Sequence, residues 1–230
     1  MIRQNRLFPK AVLVGDADRQ SPSPDGNDDA GTLRLLALVS ARLCHELSGP
    51  IAAINNGVEL IAEEDPGFIG DAMALVNDSA RRARDRLQFY RFAYGFSDAA
   101  MGAGPAPHEL WRGFFDPSRI ASDCAENIWS LSPHWQKLAC NLLAVGADIL
   151  PRGGHVTLAY GPLTLEAMGE AAALSEEASA ALMLRAPVSR LTARTVHAYF
   201  TGLLAKSLGC RIVATAEPGR VQITAATADS

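Results

Sequence analysis

Between Thr32 and Ile61 apolar side chains recur at steps of three and four: Leu36, Val39, Leu43, Leu47, Ile51, Ile54, Val58 and Ile61. That spacing follows the period of an α-helix and lays one continuous apolar stripe along it. The polar stretch EEDPG then interrupts the pattern, with Asp65 suited to cap a new helix and Pro66 to its first position. A second periodic run reaches about Phe96, carrying Ile69, Met73, Val76, Ala80, Ala83, Leu87, Tyr90 and Tyr94 on one face. Two long helices joined by so short a turn must run antiparallel. Each has only one partner within the hairpin, so both stripes are covered if two hairpins join as a four-helix bundle. A homodimer is the natural expectation.

The pattern changes after SDAAMGAGPAP (97–107), a small-residue linker that marks a domain boundary. Beyond it the chain predicts a short helix over 109–115, a strand over 119–124 and a clear helix over 133–150. The segment HVTLAYG alternates as a strand does, whereas 163–174 is ambiguous. SEEASAALML and TARTVHAYFTGLLAKSLG read as helices, and CRIVATAE with RVQITAAT as a hairpin closed by EPGR. The fold class is therefore α+β, a helical hairpin followed by an α/β sandwich. The expected domains are a flexible lead-in over 1–31, the hairpin over 32–97 and the sandwich over 108–230.

Composition narrows the function. The 230 residues are 48% hydrophobic and 20% charged, which is globular and not disordered. A net charge of -4 argues against a nucleic-acid partner. No apolar run approaches the ~20 residues needed to span a bilayer, so no membrane role is expected. The N-terminal apolar run is too short for a good signal peptide. Cys44, Cys124, Cys140 and Cys210 form no CxxC, so neither a disulfide framework nor a zinc site is indicated, and the expected compartment is the cytoplasm. His108, His134, His155 and His197 show no ligand spacing.

The fifth histidine is different. His45 lies two residues after Leu43 and two before Leu47, so it points roughly 160–200° away from the buried stripe. Gly49 and Pro50 follow within a helix that should resist both, and Pro50 removes the hydrogen bond to the carbonyl of Glu46. Such local costs collect at functional sites. An exposed imidazole suits a phosphoryl acceptor: one ring nitrogen attacks phosphorus while a hydrogen bond on the other sets the tautomer. Glu46 is the adjacent carboxylate that could orient the ring or take its proton. An ordinary surface histidine remains the alternative. Arg81, Arg82, Arg84, Arg86 and Arg91 form either a solvated face or a surface that steers an acidic partner. Cys44 reads as a packing residue.

CHELSGP resembles the H-box of two-component sensor histidine kinases. More closely, LCHELSGPIAAINNGVELI, RLQFYRFAYG and VHAYFTGLLAKSLGCRI resemble the ChpT-type histidine phosphotransferases of alphaproteobacteria, over about the last 200 residues. The resemblance implies a dimeric hairpin and a second domain similar to the ATP-binding domain of histidine kinases. It also implies a relay: the receiver of a CckA-like hybrid kinase phosphorylates His45, which serves CtrA-like and CpdR-like response regulators. Gly49 departs from the Thr or Asn of the kinase box, a residue linked there to the phosphatase reaction.

QKLACNLLAVGADILPRGGHVTL resembles the kinase N-box helix, with Asn141 at its first Asn. Val145 stands where the second Asn would hold magnesium, and an apolar group cannot ligate Mg²⁺. The Asp-x-Gly-x-Gly box and the glycine-rich phosphate loop of kinases are also missing. The sequence therefore implies a carrier with catalytic residues His45 and Glu46 and no cofactor of its own, Mg²⁺ being supplied by the partner receiver. An ATP-dependent sensor kinase and a receiver-binding scaffold without chemistry are the alternatives.

Overall fold

A computed structural model describes residues 25–62, 67, 69–95, 104–116 and 118–227. Residues 1–24, which hold most of the expected lead-in, lie outside the described residues, as do 63–66 and 97–103 of the two connections. Helix α1 runs over Asp25–Ala62 and α2 over Ile69–Tyr94. The start of α1 falls inside the segment expected to be flexible. The helix continues through Pro50.

α1 and α2 pack closely along their length. Gly57 is buried at their contact; a Cβ there would meet Val76 Cγ2 at 2.6 Å and the Ala72 carbonyl at 3.1 Å. The rest of the chain gives α3 (Pro107–Phe114), β1 (Ile120–Cys124), α4 (Pro133–Ile149), β2 (Gly154–Ala159), β3 (Leu163–Met168), α5 (Glu176–Leu182), α6 (Val196–Ser207), β4 (Cys210–Glu217) and β5 (Arg220–Thr227). Short 3₁₀ turns at Glu126–Ser130 and Val188–Arg190 complete it. The ambiguous stretch after Pro162 resolves into β3, where Leu163, Leu165 and Ala167 point to one face.

The sheet order is β1-β2-β3-β5-β4, with β1 and β2 parallel and the other pairs antiparallel. One face carries Val156, Leu158, Leu165, Val221 and Ile223, all fully buried, and α4 packs on β2 and β3. The opposite face is polar, with Asp123, His155, Thr157, Glu166 and Arg220 along it. The architecture is α+β, as the pattern predicts.

The hydrophobic core crosses the expected domain boundary. Phe89, Tyr90, Phe92 and Ala93 from the end of α2 belong to the same cluster as Leu138, Leu142 and Leu165, and Leu35, Leu38 and Leu43 of α1 pack against it. The hairpin therefore has two partners, α2 against α1 and the sandwich against both. This splits the single expected stripe of α1. Leu43 faces the sandwich, while Leu36 (61% exposed), Ile51 and Val58 (54%) stay open, as does Leu87 (55%) on α2.

Candidate functional site

His45 sits near the middle of α1 and is exposed, as its spacing predicts. Its ring makes no hydrogen bond among the described residues. Two clefts flank it. One, of about 470 Å³, lies along α2 and is lined by His45, Gly49, Pro50, Ser79, Arg82 and Arg86. The other, of about 680 Å³, opens toward the sandwich between His45, Val145, Asp148, Leu174 and Thr195.

Glu46 is not placed as the sequence suggests. Its carboxylate is half-buried and pairs with Arg42 at 3.0 Å through Oε1 and with Arg86 through Oε2. Arg42, itself buried, also donates to Asp148 Oδ1 at 2.7 Å. The chain Asp148–Arg42–Glu46–Arg86 thus ties α4 to α1 and α1 to α2. Burial works against the charge on Arg42, but Asp148, and with it Glu46, outweighs burial and raises its pKa. With both oxygens engaged by arginines, Glu46 makes no hydrogen bond to the His45 ring. Its neighbours in space, not its place in the sequence, fix what it does.

The arginine cluster on α2 is largely paired. Arg81 meets Asp78 at 2.6 Å, Arg82 meets Asp116 at 3.0 Å and Arg84 meets Asp85 at 2.8 Å. The Arg86 guanidinium also lies over the Phe114 ring, 5.6 Å from its centroid. Cys44 is exposed and does not pack, contrary to expectation. His155 faces Asp123 at 2.8 Å on the polar side of the sheet.

Sequence reasoning missed the role of His197. Its ring is fully buried: Tyr94 Oη donates to Nδ1 at 2.7 Å, and Nε2–H donates to the Asn141 carbonyl at 3.1 Å. Burial, with Arg42 adding repulsion, lowers its pKa to about 4, so the ring is neutral. The Asn141 side chain is turned the same way, its Nδ2 donating to the Ala93 carbonyl at 3.1 Å and to the Lys137 carbonyl at 2.9 Å. Lys137 donates to the Gly95 carbonyl. The residue that resembles the first Asn of the N-box therefore fastens the hairpin to the sandwich. A signal for this was present, because RLQFYRFAYG and VHAYFTGLLAKSLGCRI, which carry the resemblance, are the segments that meet here.

A family model described as the histidine phosphotransferase C-terminal domain matches residues 107–220, from α3 into β5. Protein phosphotransferase ChpT of Brucella abortus (strain 2308) is 33% identical over 203 residues, covering 80% of this chain and 92% of that protein. The chain belongs to the ChpT family of phosphotransferases. A solved bacterial phosphotransferase is similar in structure, with a TM-score of 0.67 and 30% identity over 84% of this chain and 96% of that one. A match of 203 residues is longer than the sandwich, so the ChpT likeness runs into the hairpin that carries His45. No helix among the described residues is long and apolar enough to cross a membrane.

Proposed function

We propose that this ChpT-family protein carries a phosphoryl group on His45, taking it from a receiver aspartate and passing it to the aspartate of another response regulator. The observation that carries this is the exposed imidazole, both nitrogens unbonded among the described residues, standing between two open clefts on a helix held from behind. A ring nitrogen attacks phosphorus, the acyl-phosphate P–O bond breaks, and the aspartate leaves as its carboxylate while the ring loses a proton to solvent. Transfer onward reverses these changes. Most of the catalysis is positioning, as in other phosphoryl transfers. Mg²⁺ and a cation for the transition state belong to the docked receiver.

Glu46 supports the reaction as a positioning residue: its two arginine partners fix the helix turn that bears His45. The resemblance extends the reading to a CckA-like donor and to CtrA-like and CpdR-like acceptors in the cytoplasm. Exposed Leu36, Ile51, Val58 and Leu87 favour a dimer through the hairpin, which would remove them from water. The commitment of Asn141 to the junction, with Val145 in the cleft beside it, favours a carrier over an ATP-using kinase.

The test is transfer of label from a phosphorylated receiver to the purified protein, then to a second receiver. Retention of all label on the first receiver would refute the carrier role. Light scattering should give twice the chain mass, and Val58→Asp should return it to one by placing a charge in the seam.

A further inference from the structure

The cleft beside His45 on the α2 side contains two guanidinium groups of unequal commitment. Arg86 is held by Glu46 and by the Phe114 ring, and its release would strip a half-buried carboxylate of one of its two partners. Arg82 is 64% exposed and, among the described residues, makes a single ion pair, to Asp116 Oδ2 at 3.0 Å. Asp116 does not depend on that pair. Its Oδ1 accepts from the Ser118 N–H at 3.1 Å and the Ser118 hydroxyl at 2.6 Å, and these bonds lead the lowering of its pKa. The carboxylate therefore stays satisfied if Arg82 leaves.

We propose that Arg82 is the positioning residue for the phosphoryl group on His45, parked on Asp116 until that group arrives. This rests on the carrier reading of His45. A phosphoryl group brings more charge than a single carboxylate and three acceptor oxygens, which a guanidinium engages bidentately. In the opposite cleft Arg42 is already neutralised by Asp148 and Glu46, and the other guanidinium, Arg194, comes from the segment before α6 and not from the hairpin. Arg82 stands on α2, the helix packed against the one that bears His45, and lines the same cleft as the ring. Arg82 then holds one orientation of the phosphoryl group for the incoming receiver and lets go of the loop that contains Asp116.

The experiment uses the full chain and phosphoramidate, a small donor whose N–P bond breaks with loss of ammonia as the imidazole is phosphorylated. ³¹P NMR identifies the His45 signal as the one absent from His45→Ala. In Arg82→Ala that signal should move, and onward transfer to a receiver should slow on the order of tenfold. Arg82→Lys should restore part of the rate, whereas Arg81→Ala, whose charge lies outside this cleft, should change neither reading. No His45 signal in the unaltered protein would take down the carrier reading and this inference together. A normal His45 signal with the same shift and transfer rate in Arg82→Ala would overturn this inference alone.

Discussion

Two histidines in this chain show what surroundings do to one side chain. At the middle of α1, His45 is exposed, with both nitrogens unbonded among the described residues, on a helix turn braced by the Glu46 ion pairs. At the junction of hairpin and sandwich, His197 is sealed from water, with one nitrogen accepting from Tyr94 and the other donating to Asn141. The first ring keeps its lone pair free for chemistry. The second has none, and holds two bodies together instead. In the proposed carrier role the first supplies the acceptor and the second helps hold the frame beneath it.

The contrast is tested most strongly at the junction. His197→Ala removes a buried ring and both of its hydrogen bonds, and should cost roughly 3–4 kcal/mol in urea unfolding. A loss under ~1 kcal/mol would mean that the junction is not a main support. Acid should act through the same group. Its folded pKa is about 4 against an ordinary value of 6.5, so its contribution is complete above pH 6.5 and is lost as pH falls through 4. That loss amounts to about 3 kcal/mol, and a pH series on His197→Gln should lack it. Tyr94→Phe leaves Nδ1 of the buried ring unpaired and should cost about 1–2 kcal/mol. His45→Ala should change stability by no more than about 0.5 kcal/mol.

Much of this was legible in the chain because it is periodic. The two long helices, the helix over 133–149 and the closing hairpin follow from spacing, and so does the outward direction of His45. What spacing does not encode is which distant segments meet. The role of Glu46 depends on Arg86, forty residues away in sequence and one helix away in space. The roles of Tyr94, Asn141 and His197 depend on a core that runs from α2 into α4 and α6. The single stripe expected on α1 was divided for the same reason: a helix with two partners distributes its apolar residues over more than one face. The start of α1 at Asp25 was hidden because the sequence there is polar and carries no apolar stripe to follow.

The central claim is that His45, and no other histidine, carries the phosphoryl group. Incubation of the unaltered protein and of His45→Ala with a phosphorylated receiver, followed by mapping of the label under alkaline conditions, tests it directly. The account predicts base-stable, acid-labile label on His45 in the unaltered protein and none on the folded His45→Ala variant. Equal uptake by His45→Ala, or label on another residue, would contradict it.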